Sequence, residues 1–426
     1  MTAISNAGGK REDSARSPFV TPKELMGHLP GLDGIRGFAV LLVMAAHFVG
    51  GAPAVTDWQK IVVEVATRGW MGVDLFFVLS GFLITGILIE AKGSPNYFRN
   101  FYARRTLRIF PLYYFVLVCL FLILPQFATL SPLLESARTH QIWLWTYTSN
   151  FYIATTSSWV SLNYVSHFWS LAIEEQFYLL WPLVVFFSSR LTLERICLGA
   201  LVFALGLRIA LAFAGLSELS ISVLTPCRID TLCLGAFIAL RIRRPGVLSA
   251  WVEKAGLAAV IFGAAFVVVV AMYSLAPSTS RVLHQLRNSL DAFFFAALIL
   301  VALKPPSNVI ARIFQGRVLG FFGKYSYGLY VYHALLSWYL YEAAVDEKLD
   351  ALLGNHTLAM VARVVIGVGV SILISMLSYN LFERRFLALK RYFDDTPSSG
   401  VFDGRSTAST VQVGVSSAFQ SGLDKS

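Results

Sequence analysis

Residues 31–50 read GLDGIRGFAVLLVMAAHFVG, an apolar stretch that carries an arginine and a histidine and little else that is polar. Arg36 and His47 are eleven residues apart. At about 100° per residue that is roughly three helical turns, so both side chains leave one face, about 16 Å apart along the axis. Ionisable groups inside an apolar span are expensive, which makes each a functional candidate. Arg36 alone reads as a cation reaching headgroups, and His47 alone as a hydrogen-bonded bundle residue. The pair on one face favours function.

Outward from this stretch the chain stays apolar. Of 426 residues, 56% are hydrophobic and 14% charged, and the mean hydropathy is +0.64. Soluble domains average about 25% charged residues. The deficit, with repeated apolar runs of near twenty residues, predicts an all-α polytopic membrane helix bundle. We expect about ten transmembrane helices, at 34–50, 70–90, 109–125, 168–188, 196–215, 223–240, 256–274, 288–303, 318–340 and 358–382. The segment 140–160 is aromatic and partly apolar, and reads as re-entrant or interfacial, where Trp and Tyr prefer to sit. It is a candidate contributor to an acceptor site, or an aromatic anchor.

The chain holds 35 Lys and Arg against 25 Asp and Glu, a net charge of +10. That balance alone would suit nucleic acid, but the cations sit in short loops between apolar runs. With both termini cytoplasmic, outer segments carry only Lys60, Arg68, Arg138, Arg281, Arg287 and Lys348. Arg36, Arg208, Arg228 and Arg363 lie within spans, and the remaining 25 face inward. This is a positive-inside bias, not a nucleic-acid surface. Residues 1–28 read as a disordered cytoplasmic tail and not a signal peptide, 29–392 as the membrane domain, and 393–426 as a second disordered tail. Cys119, Cys197, Cys227 and Cys233 lack metal or redox spacing and read as small buried hydrophobes. No Walker, GxSxG or HExxH motif occurs, and no metal site is expected.

Four further stretches carry candidate chemistry. GWMGVDLFFVLSGFLITGILI (69–89) places Asp74 in an apolar helix, where it needs a partner such as an intramembrane arginine. Its Ser80 is a candidate site residue, while Gly81 reads as a packing position. YFRNFYARRTLRIFPLYY (97–114) clusters Arg104, Arg105 and Arg108, with the last two on one face. Guanidinium groups bind two phosphate oxygens at once, and the same cluster also reads as a positive-inside stop signal. HFWSLAIEEQFYLLWP (167–182) sets Glu174 beside Glu175 two turns inside a span. Both cannot be free and charged there. Ser170, Glu174 and Tyr178 share a face. Entering from the side where His47 lies, Glu174 is expected at His47's depth, where its carboxylate would orient the ring. TPCRIDTLCLGAFIAL (225–240) adds Arg228, and GKYSYGLYVYHALL (323–336) adds His333 at mid-span.

Together these stretches resemble the acyltransferase-3 family of integral membrane O-acyltransferases. The resemblance covers roughly residues 30–390 and rests on six motifs in the family's order: LDGIRGFAVLLVMAAHF, GVDLFFVLSGFLIT, RRTLRIFPLYY, HFWSLAIEEQFYLLWP, CRIDTLCLGAFIA and GKYSYGLYVYH. The closing segment SYNLFERRF (378–386) departs from it, with Arg385 where a proline is usual. No extracytoplasmic hydrolase-like domain follows, so a stand-alone transferase is expected. The resemblance implies a multi-pass protein of the bacterial inner membrane that moves an acyl group, usually acetyl, from acyl-CoA to a carbohydrate or glycoconjugate hydroxyl, as in polysaccharide biosynthesis. It implies acyl-CoA as co-substrate with no bound cofactor, Arg36 and His47 as essential, and Arg105 and Arg108 as the basic motif. A transporter that couples protons or substrate through the buried Arg, His and Glu residues is the competing class. Its inverted repeats and broken helix pairs are not visible here.

Overall fold

The computed structural model describes residues 29–275 and 280–393. Among them there is no strand, and ten long helices carry the architecture. These are α1 (Pro30–Phe48), α2 (Gly72–Ala91), α3 (Tyr97–Val118), α4 (Phe168–Phe187), α5 (Arg190–Phe213), α6 (Thr225–Arg241), α7 (Val247–Leu275), α8 (Ser280–Ala302), α9 (Arg317–Glu342) and α10 (His356–Ser378). Eight of them, alone or with adjoining helical turns, are long and apolar enough to cross a membrane. The exceptions are α6, at 17 residues, and α9, whose 26 residues are diluted by tyrosines, Lys324 and His333. The protein is therefore an all-α, multi-pass membrane helix bundle. The tails at 1–28 and 394–426 lie outside the described residues.

Small residues set how closely the helices approach. A Cβ on Gly34 would stand 1.7 Å from the Phe314 carbonyl oxygen, and one on Gly37 2.0 Å from that of Leu319, so α1 lies directly on the short helix Val309–Phe314 and on the start of α9. The same holds between α2 and α6: a Cβ on Gly81 would meet the Leu232 carbonyl at 1.9 Å, and one on Gly235 that of Val78 at 1.9 Å. In lipid there is no hydrophobic drive between helices, and such backbone contact supplies the packing instead. Gly81 is thus a packing residue, as its neighbourhood predicts. α7 shows the opposite pattern. Its apolar side chains, Leu257, Val260 and Val268 among them, remain exposed and suit a lipid-facing position.

Prolines and tyrosines fix α3 against α4. Pro182 lies inside α4, and the backbone there accepts two hydroxyls from α3: Tyr102 on the Leu179 carbonyl at 2.8 Å and Tyr97 on the Pro182 carbonyl at 3.1 Å. Tyr327 of α9 donates to the Ile109 carbonyl of α3 at 2.6 Å. These ties bring the α3 arginines, the α4 carboxylates and α1 to one place.

Several helices, α5 and α7 among them, start earlier than the spans read in the sequence, and two of these early starts bear on the site. α3 begins at Tyr97 and α8 at Ser280, twelve and eight residues before the expected spans at 109 and 288. Both extensions are polar. In α8, His284, Gln285, Asn288 and Asp291 recur at helical spacing and are buried. A hydropathy reading takes such residues for loop. No helix long enough to cross the membrane forms between residues 127 and 167. Pro132–Thr139, Ile142–Trp145 and Ser149–Thr156 are short helices instead.

Candidate active site

Two cavities meet inside the bundle. The first opens near the N-terminal half of α1 and encloses about 110 Å³. It is lined by Arg36 of α1, Ser80 of α2, Arg105 and Arg108 of α3, Glu174 and Tyr178 of α4, and Tyr327 and Tyr330 of α9. Arg36 is held by Asp33, one turn earlier, at 2.5 Å. The Arg105 guanidinium stacks 5.3 Å over the Tyr178 ring. The Tyr178 hydroxyl hydrogen-bonds to Ser80, and both reach Glu174. Ser170, Glu174 and Tyr178 all line this cleft, so the shared face read from their spacing is real. Lys390, on the last helical turn Leu389–Phe393, adds its field to the arginines. It was not singled out in the sequence, because nothing in the pattern links position 390 to position 105.

Arg104 and Glu175 stand apart from the cleft. Arg104 is exposed and does not line it. Glu175 turns from Glu174 toward a cage of tyrosines, within electrostatic reach of Tyr113, Tyr114, Tyr147 and Tyr327. Adjacent helix positions differ by about 100°, so two neighbouring carboxylates face different surroundings.

The second cavity lies at the other end of α1 and encloses about 860 Å³. That is at the upper end of small-molecule sites, about 300–1,000 Å³, and is large enough for a sugar ring. Its aromatic wall comprises Trp70, Trp159, Trp169, Tyr330, Trp338 and Tyr341. Trp159 comes from the segment expected to be re-entrant or interfacial. Polar groups, including His47, His167, Asn288 and Ser337, stand between the rings. Val73 and Tyr330 line both cavities, so the two spaces abut at that pair.

His47 sits in the second cavity with its Nδ1 2.9 Å from the Val43 carbonyl. A carbonyl only accepts, so Nδ1 carries the proton and the neutral ring keeps a lone pair on Nε2. His333 repeats the arrangement, Nδ1 to the Leu329 carbonyl at 2.9 Å, and its ring lies edge-on to His47 at 4.8 Å. His167 completes the cluster, 5.5 Å from His333, with its Nε2 3.2 Å from the Val331 carbonyl. Here the expected pairing of Glu174 with His47 is corrected. Glu174 belongs to the first cavity and does not touch the imidazole. The α4 side that meets the histidines is His167, seven residues and about 10 Å nearer the helix start. His167 stood at the head of its motif, but its depth relative to His47 was not legible without helix tilt.

Asp74 and Arg228 find each other. The pair is buried between α2 and α6, and Arg228 also stacks 5.5 Å from Phe77. Arg208 pairs with Asp230 at 2.7 Å nearby. Buried pairs of this kind hold helices in register, because removing one partner strands the other charge.

The "Acyltransferase domain" family model matches residues 29–380. The chain is 27% identical over 397 residues to a "Putative O-acetyltransferase" of Staphylococcus aureus (strain COL), covering 86% of this chain and 58% of that protein. It is 29% identical over 324 residues to "O-acetyltransferase OatA" of Staphylococcus aureus (strain NCTC 8325 / PS 47), covering 72% of this chain and 50% of that protein. The chain thus spans little more than half the length of the curated relatives it matches. No solved structure matches it. With the family's domain matched across nearly all of the bundle, the chain belongs to the acyltransferase-3 family.

Proposed function

We propose that this protein is a membrane O-acyltransferase that moves an acyl group, acetyl first of all, from acyl-CoA in the arginine-lined cleft to a hydroxyl of a carbohydrate in the aromatic cavity. The observation that carries the reading is the junction at Val73 and Tyr330, where a phosphate-suited cleft meets a sugar-suited cavity holding an imidazole lone pair. CoA is polyanionic, and Arg36, Arg105 and Arg108 offer planar forks to its phosphates. Its thioester arm extends past the junction to His47. The positive-inside bias makes the cleft cytoplasmic and the cavity outward-facing.

At His47, Nε2 takes the proton of the acceptor hydroxyl as that oxygen attacks the thioester carbonyl. The carbon–sulfur bond breaks, and the departing CoA thiolate receives the proton from the imidazolium. A second route uses the same atom: Nε2 attacks the thioester carbonyl, the carbon–sulfur bond breaks and CoA leaves as the thiolate, then the acceptor hydroxyl attacks the acyl-imidazolium and the displaced Nε2 takes its proton and passes it to solvent. The first route gives sequential kinetics, the second ping-pong.

The test is acetyl-CoA turnover by purified protein in nanodiscs with a panel of oligosaccharides. His47→Gln is expected to lose at least about a hundredfold in transfer, in line with loss of a general base, while still binding CoA. Arg105→Ala with Arg108→Ala is expected to raise the KM for acetyl-CoA with little change in kcat. A folded His47→Gln protein that retains transfer sinks the assignment.

A further inference from the structure

The aromatic cavity is lined by four arginines, and three are already neutralised. Arg68 pairs with Glu64, Arg228 with Asp74, and Arg363 with Asp346 at 3.2 Å. Arg287 is different. Among the described residues it forms no ion pair, yet its guanidinium is held in place on three sides. It stacks 5.0 Å over the Trp70 ring, and its Nη2 lies 3.4 Å from His284 Nε2 and 3.5 Å from Asn288 Oδ1. Glu218 is the only carboxylate among the described lining residues, and it faces His284 at 3.0 Å. Asp291, Asp74 and Glu218 act on Arg287 only from beyond ion-pair distance, and Asp291 is wholly buried and does not line the cavity.

An oriented guanidinium without a counter-ion, in a partly desolvated cavity, is a binding site for an anion. Resting on the acyl-transfer reading above, we propose that the acceptor is an acidic glycan, and that Arg287 binds its carboxylate or phosphate group. The same cavity presents His47 to a hydroxyl of that glycan while Trp and Tyr faces take its rings. Arg287 is then a specificity residue and does not touch the reacting atoms.

The experiment measures binding of a galacturonate tetrasaccharide and its methyl-esterified, neutral counterpart to the full-length protein in phosphatidylcholine nanodiscs. The proposal predicts tighter binding of the acidic form by roughly ten- to hundredfold, the span of one charge-assisted hydrogen-bonded contact. Arg287→Ala removes that preference, and Arg287→Lys restores part of it. Arg138→Ala, a surface arginine outside the cavity paired with Glu135, leaves it intact. Equal binding of the two oligosaccharides by the wild type overturns the proposal, as does a preference that survives Arg287→Ala. Displacement of the acidic tetrasaccharide by phosphatidylglycerol added to the nanodisc also overturns it, since the anion bound there is then a lipid headgroup. Acetyl-CoA turnover is read on the same samples. Turnover abolished by His47→Gln, alongside equal binding, removes the acidic-glycan inference and leaves the transferase reading standing. Turnover absent or indifferent to His47→Gln removes the transferase reading.

Discussion

Among single residues, His47 matters through which of its ring nitrogens is free. The Val43 carbonyl holds Nδ1 as the donor, so the reactive lone pair is on Nε2 without help from a carboxylate. Glu174 stands apart from that ring, beside Ser80, Tyr178 and Arg105. Tyr178→Phe removes the hydroxyl joining Ser80 to Glu174. Measured steady-state kinetics should show its effect in the acyl-CoA terms, with binding of the oligosaccharide acceptor unchanged. The buried pair gives a second prediction. Arg228→Met strands Asp74 in the bundle and is expected to cost about 3–5 kcal/mol, whereas Asp74→Leu with Arg228→Met recovers most of it. Thermal unfolding of the three variants in nanodiscs checks the order, and a double variant no better than the single one contradicts it. Much of this chemistry was legible from the sequence. A carboxylate and an arginine, each isolated in an apolar helix, must find partners, and Asp74 found Arg228. What stayed hidden was depth. His167 and Glu174 lie about two turns apart at the start of α4, and only the tilt of α4 decides which of them joins the His47–His333 pair.

At the scale of helices, glycine positions separate packing from permissive sites. Gly81 has the Leu232 carbonyl where a side chain would go, so Gly81→Val must push α2 off α6 and open the Asp74–Arg228 pair. A lowered melting temperature and reduced insertion are expected. In α5, a Cβ on Gly199 meets nothing within 4 Å. Gly199→Ala is therefore expected to stabilise, by about 0.5–1 kcal/mol, because glycine inside a helix is entropically costly. Opposite signs from two glycines in apolar helices, measured by thermal unfolding, would support the packing described here; equal effects would refute it. The helices themselves were readable from apolar run length. Their ends were not, where burial is polar. α8 extends to Ser280 because His284, Gln285 and Asn288 are buried, and α3 extends to Tyr97 because Arg105 and Arg108 line the cleft and Tyr97 and Tyr102 bond the α4 backbone. The extension that hid from hydropathy also carries Arg287, which the sequence placed in an outer loop.

At the scale of the whole molecule, the bundle is two differently made cavities sharing one wall. Arg36, Arg105 and Arg108 line the first with Glu174 and Ser80, four tryptophans line the second with His47 and its own arginines, and Val73 with Tyr330 forms the partition. Val73→Trp narrows that partition. It should leave CoA binding near wild type while transfer to the glycan falls at least about tenfold, a split that damage to either cavity alone would not give. Measuring CoA affinity and transfer on one preparation checks it. The central claim is that the donor and acceptor enter from opposite faces and meet at His47. Sealed proteoliposomes with uniformly oriented protein, labelled acetyl-CoA on one side and oligosaccharide on the other, test it most directly. Labelled glycan is expected when acetyl-CoA is on the Arg105 face and glycan on the His47 face, none in the reverse arrangement, and none with His47→Gln. Label appearing only when both substrates share one side would contradict it.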